Sequence, residues 1–104
     1  MLEVNYDNFE KEVLKSKITV VVDFWASWCN PCRKLSSILE ELSREYNGRI
    51  KFLKLNVEEC PDLASTYMVM SIPTLIIFKD GNPCDRKTGL LNKIDLEKFI
   101  SPHI

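Results

Sequence analysis

Histidine, glycine and charge of one sign are what this chain has least of. A single His103 stands near the end of 104 residues, where fraying is expected, so histidine triads and zinc sites needing several imidazoles are excluded. Only 3 glycines occur, none in a dinucleotide-binding fingerprint, so no nicotinamide or flavin cofactor is expected to be bound. With 14 Lys and Arg against 15 Asp and Glu, the formal charge is -1. That leaves no basic stripe to neutralise phosphates and excludes a nucleic-acid partner. Apolar runs are broken at Asp23, Lys54 and Lys79, well short of the about 18 residues a membrane helix requires, so no membrane partner is expected. The opening MLEVNYDNFEKEVLK has no apolar leader core, and a cytoplasmic location is expected. Repeats, low-complexity tracts and Pro/Gly/Ser linkers are also missing, so one domain over residues 1–104 is expected.

What is present suits a folded core. The residues are 45% hydrophobic and 28% charged, and a chain of this length buries roughly two-thirds of its unfolded surface without metal or disulfide staples. Its four cysteines, Cys29, Cys32, Cys60 and Cys84, are therefore free for chemistry. In a reducing cytosol they are more often catalytic or metal-binding than structural.

Periodicity sets out the elements. A strand over Leu2–Asn5 leads into a helix over Asp7–Ser16, with Tyr6, Phe9 and Val13 on one face. Ile18–Trp25 is apolar on both alternating faces, the pattern of a central strand covered by helices on each side. Pro31 suits a first helical turn; Leu35, Ile38, Leu39, Leu42 and Tyr46 then repeat at helical spacing until Gly48 stops the helix. Ile50–Val57 reads as a strand, Pro61–Tyr67 as a short helix and Thr74–Lys79 as a strand. Asp80, Gly81 and Asn82 make a turn into a return strand over Pro83–Thr88, which Pro83 marks as an edge. Asn92 caps a closing helix that buries Leu96, Phe99 and Ile100, with Asp95 placed to answer the cap. Alternating strands and helices imply a layered α/β fold with parallel pairing.

Cys29 and Cys32 form Cys-Asn-Pro-Cys just past the central strand, where a helix begins. Four cysteines placed at random would produce such a spacing about one time in ten, so position carries more weight than spacing. Unpaired N–H groups and the helix dipole favour an anion there, and a thiolate is the anion supplied. An ordinary thiol is only about 3% ionised at pH 7; raising that to about half needs about 2 kcal/mol. A helix terminus supplies about 0.3 to 2 kcal/mol, and a neighbouring thiol can donate a hydrogen bond for part of the remainder. Cys32, one turn on, is placed to resolve a mixed disulfide formed by Cys29. Zinc would need Cys60 and Cys84 as partners, and these have 23 residues between them rather than being paired, so no metal site is expected. Asp23 is a carboxylate inside a strand that otherwise reads as buried, and burial raises its pKa.

The segment FWASWCNPCRKL, followed by SIPTLIIFKDG and then Gly89, resembles the thioredoxin family, and the likeness runs over almost the whole chain. The resemblance implies a thioredoxin fold: a five-stranded mixed β-sheet with four helices on both faces, three layers in all. It also implies a cis Ile72–Pro73 peptide beside the dithiol. The implied activity is thiol-disulfide oxidoreduction of protein disulfides through a redox-active Cys29–Cys32 pair, with no bound cofactor. Cys29 would be the nucleophile and Cys32 the resolving thiol, with Asp23 moving its proton and Lys54 tuning Asp23. Trp28, Asn30, Pro31, Ser71, Ile72, Pro73, Gly89 and Leu90 would border a groove holding an extended segment of substrate. Electrons would come from a thioredoxin reductase or an equivalent flavin-containing donor, and the protein would be a monomer. A near-neutral pKa of the nucleophilic thiol is itself a property of the thioredoxin family.

Several residues depart from the family pattern. Asn30 replaces a common glycine between the cysteines, where one altered hydrogen bond moves the potential, about 30 mV per 1.4 kcal/mol. Ser37 replaces a helix-kinking proline, and Met68 and Ser71 replace glycines, while Met70 adds an apolar side chain near the groove. Cys60 and Cys84 lie outside the motif and are expected to be small buried hydrophobes, with a regulatory thiol as the alternative. A partner-binding module with an incidental dithiol, or an oxidase or isomerase, stands as the alternative function.

Overall fold

The computed structural model describes residues 1–104. Five strands, β1 (Leu2–Val4), β2 (Thr19–Trp25), β3 (Ile50–Asn56), β4 (Thr74–Lys79) and β5 (Asn82–Thr88), form one sheet in the order β1-β3-β2-β4-β5. The β1–β3 and β2–β3 pairs are parallel, the β2–β4 and β4–β5 pairs antiparallel. The expected five-stranded mixed sheet is therefore present, with β2 at its centre and β5 on an edge.

Side chains of β2 alternate between two apolar layers. Val20, Val22 and Phe24 join Val4, Phe9, Val13, Leu53, Leu55, Cys60, Ala64, Ile76 and Phe78 on one face. Val21 lies on the other, against Leu35, Leu39 and Leu42 of α1 (Asn30–Glu45) and Leu96, Phe99 and Ile100 of α3 (Lys93–Ile100). The short α2 (Pro61–Thr66) covers the first face with a π-helix at Glu10–Leu14. Helix α1 runs without a break through Ser37, the position where proline would kink it.

The amino-terminal helix differs from expectation. Residues 6–8 form a turn, and the regular segment is a π-helix in which Lys15 N–H donates to Glu10 O at 2.9 Å. Phe9 and Val13 are buried as the periodicity requires, but apolar spacing does not separate an i→i+4 ladder from an i→i+5 bulge. Tyr6 leaves that face; it is half exposed, and its hydroxyl accepts from Asp62 N–H at 3.0 Å. At the other end, Asn92 Oδ1 accepts the Asp95 N–H at 2.8 Å, the cap expected for α3. The Asp80–Gly81 pair forms a two-residue hairpin with φ 52 and 80, the mirror-image turn whose twist matches the strands. A Cβ at Gly81 would meet Leu14 O at 2.7 Å, so glycine is required there.

Candidate active site

The central strand delivers the chain to the start of α1 within five residues, placing Cys29 at the N-cap and Pro31 in the first turn. Cys29 Sγ accepts the backbone N–H of Cys32 at 3.2 Å. The sulfur thus occupies the position that a serine or aspartate oxygen fills at other helix starts. Cys29 and Cys32 are joined by a disulfide, their Cα atoms 5.3 Å apart. Both are buried, Cys29 to 5% and Cys32 to 2% residual exposure, so Cys32 is the more deeply set of the two.

Asp23 follows Val21 on the α1 face of β2 and lies opposite Lys54 in the parallel register. It is 1% exposed, and its Oδ1 meets no hydrogen-bond partner in the protein. Burial pushes its pKa up to about 7; the Lys54 charge pulls it back down and Glu3 pushes it further up. A pocket of about 240 Å³ joins Asp23, Lys54 and Trp25 to Cys32, Arg33, Ser36 and Ser37. Lys54 forms no ion pair with Asp23; its ammonium lies over the Trp25 ring, 5.1 Å from the centroid. Trp25 Nε1 donates to Glu3 Oε2 at 2.9 Å, which holds that acidic group at the rim of the cluster.

On the outer side, Trp28, Ser71 and Ile72 line a pocket of about 330 Å³ with Val57, Val69 and Met70. Trp28 is 66% exposed and Met70 93%, which makes this an exposed apolar patch that includes the residue preceding Cys29. The Ile72–Pro73 peptide is cis, as the family resemblance implied. Gly89 N–H donates to Pro73 O at 2.8 Å, bringing the end of β5 beside Pro73, and Leu90 follows as an exposed residue. Asn30 Oδ1 accepts from Arg33 Nη1 at 2.8 Å, while Arg33 Nη2 donates to Ser27 O at 2.6 Å.

Sequence reasoning missed Arg33, Ser36, Glu3 and Thr74. Arg33 and Ser36 were legible as the residues one and four places after Cys32 on the helix. Glu3 and Thr74 gave no local signal. Thr74, buried after Pro73, donates from Oγ1 to Ser71 O at 2.6 Å and so fixes the loop that carries Ser71 and Ile72.

The remaining cysteines divide. Cys60 is 2% exposed and belongs to the core, and burial pushes its thiol pKa up. Cys84 is exposed on β5, not buried as expected, because nothing covers that edge strand and every one of its residues is exposed. No group of three or more His, Cys, Asp or Glu side chains converges to hold a metal ion, and no helix is long and apolar enough to cross a membrane.

A family model described as thioredoxin matches residues 1–102. A thioredoxin of Buchnera aphidicola (subsp. Acyrthosiphon pisum) is 44% identical over 104 residues, which is 100% of this chain and 96% of that protein. One from Rickettsia bellii is 47% identical, covering 93% of this chain and 92% of its own. Thioredoxin 1 of a Nostoc species is 42% identical, covering 98% and 95%. The mixed sheet, the dithiol at the helix start and the cis Ile72–Pro73 peptide agree with these likenesses: the chain belongs to the thioredoxin family.

Proposed function

We propose that this thiol-disulfide oxidoreductase reduces protein disulfides at a Trp28-Cys29-Asn30-Pro31-Cys32 centre, with residues 1–104 acting as one thioredoxin domain. The observation that carries the reading is the seat of Cys29 Sγ at the N-cap of α1, accepting the Cys32 N–H. Once the disulfide is reduced, the same N–H groups and dipole favour the Cys29 thiolate over the thiol and hold its pKa below the ordinary range.

In the first step Cys29 attacks one sulfur of the substrate disulfide; the S–S bond breaks, and the other sulfur leaves as a thiolate that takes up a proton. Asp23, held partly ionised near pH 7 by the opposition of burial and Lys54, accepts the proton of Cys32 across the shared pocket. Cys32 then attacks Cys29 Sγ, which releases the second substrate thiol and closes the Cys29–Cys32 disulfide. Two electrons have passed from the dithiol to the substrate.

Trp28, Ser71 and Ile72 offer an apolar wall to an extended segment of substrate, and the Ser71–Pro73 backbone beside Gly89 and Leu90 offers it an edge to pair with. Asn30 and Pro31 cap the opposite rim. A thioredoxin reductase or equivalent flavin-containing donor returns the electrons, and the protein works as a cytoplasmic monomer.

Cysteine replacements test the assignment. Cys29→Ser abolishes turnover of a disulfide-linked protein substrate, while Cys32→Ser accumulates a covalent mixed disulfide visible by non-reducing electrophoresis. An undiminished partner function in the double variant would instead establish the binding-module reading. Equilibration of the couple against glutathione separates a reductase from an oxidase.

A further inference from the structure

We propose that Cys84 is a second reactive thiol, activated by His103 and Asp85, that forms mixed disulfides with small zwitterionic peptide disulfides. His103 is not frayed. Its carbonyl accepts from Thr19 Oγ1 at 3.1 Å, its ring packs edge-on to Phe99 with centroids 6.5 Å apart, and its Nε2 lies 3.0 Å from Asp85 Oδ2. Nε2 therefore carries the hydrogen that Asp85 accepts, which leaves the Nδ1 lone pair facing Cys84 Sγ at 3.8 Å. Sequence neighbours on a strand ordinarily point to opposite faces. Here β4 and β5 shift register between Ile77 and Phe78, pairing Ile77 with Asp85 and Phe78 with Pro83, so that Cys84 is the extra residue of a bulge. Bulges re-aim side chains, and this one lets Cys84 and Asp85 address the same imidazole.

The sulfur is exposed, and its hydrogen now points to Ile77 O at 3.4 Å. Asp85 and His103 also wall a cavity of about 690 Å³, together with Lys87, Lys98 and Asp95 among others; Cys84 stands behind those two shared side chains rather than in the cavity wall. The ammonium groups of Lys87 and Lys98 stand there with the carboxylates of Asp85 and Asp95. That mixed wall suits a small peptide carrying both carboxylates and amines, and the volume is of ligand size.

In the reaction the Cys84 thiol passes its proton to His103 Nδ1 and its sulfur attacks one sulfur of the peptide disulfide. That S–S bond breaks, the leaving sulfur takes the electron pair, and His103 returns the proton to it. Cys84 is oxidised to the mixed disulfide, and half of the peptide disulfide is reduced to thiol.

The test uses the full chain with Cys29–Cys32 closed, treated with glutathione disulfide and followed by intact mass and peptide mapping. One adduct on Cys84 is expected, forming roughly tenfold or more faster than on the isolated peptide Asn82–Lys87, as general-base assistance allows. His103→Gln and Asp85→Asn bring the rate down to the peptide's while leaving turnover at Cys29 unchanged. Lys87→Gln with Lys98→Gln slows reaction with glutathione disulfide but not with neutral hydroxyethyl disulfide. A wild-type rate equal to the peptide's, an unchanged rate in His103→Gln, a Cys84-linked dimer in place of the adduct, or an adduct on Cys60 would each overturn the proposal.

Discussion

Asp23 is the residue whose energetics and proposed role pull in opposite directions. An aspartate in the unfolded chain titrates near about 3.9, whereas burial pushes this one up to about 7 in the fold. Between those values the native state binds more protons than the unfolded state, so stability is fully present below the lower value and falls as pH rises through 7. The full loss is on the order of 4 kcal/mol. Asp23→Asn removes it: denaturant melts should show the variant more stable above pH 8 by a few kcal/mol, with the gain gone below about pH 4. The same variant should slow resolution of the mixed disulfide by Cys32, measured as the decay of the covalent intermediate near pH 7. The carboxylate was legible as an oddity in an apolar strand. Lys54 came with the family likeness, but Glu3 and Trp25 did not show, since one belongs to another strand and the other to the far end of its own.

At the scale of the element, what the chain shows locally and what it hides can be told apart. The Asn92 cap and the Asp80–Gly81 turn are short-range chemistry, readable from two or three residues, and both stand where the pattern puts them. Asn92→Ala should cost about 1 kcal/mol in thermal or denaturant unfolding. The π-helix and the β5 bulge were illegible, because each inserts one residue into a regular ladder and leaves the apolar spacing nearly intact. Met68 lies between these cases. It was marked in sequence as a replacement for glycine, and it adopts φ 53, a conformation that costs L residues about 1 to 2 kcal/mol. Its side chain is 71% exposed and adds little packing in return. Arg86 holds the strained turn by donating to the Tyr67 and Met68 carbonyls. Met68→Gly should stabilise the protein by about 0.5 to 1 kcal/mol, the relieved strain exceeding the entropy that glycine adds to the unfolded chain.

Across the whole molecule, one sheet separates two apolar layers that meet only through its strands. Leu39 belongs to the α1 layer and Val13 to the opposite one, both fully buried. Leu39→Ala should cost about 2 to 5 kcal/mol and Val13→Ala somewhat less, the two losses adding to within about 0.5 kcal/mol in the double variant by urea titration. The layer order follows from apolar strands alternating with amphipathic helices, which is why the architecture was legible from the residues alone. Pairing order was not: β1 lies beside β3 rather than beside β2, a choice that no local pattern in the chain sets. The sheet brings Asp23 and Lys54 into register, and α1 sets Cys32 against the same pocket.

That assembly stands or falls on the ionisation of one sulfur, which alkylation reads directly. The reduced protein is treated with iodoacetamide across pH 5 to about 10, with Cys29 resolved by peptide mapping. The account predicts a Cys29 rate that rises and levels off well below the pH at which a cysteine in a short peptide does so. A Cys29 profile superimposable on the peptide's would contradict it.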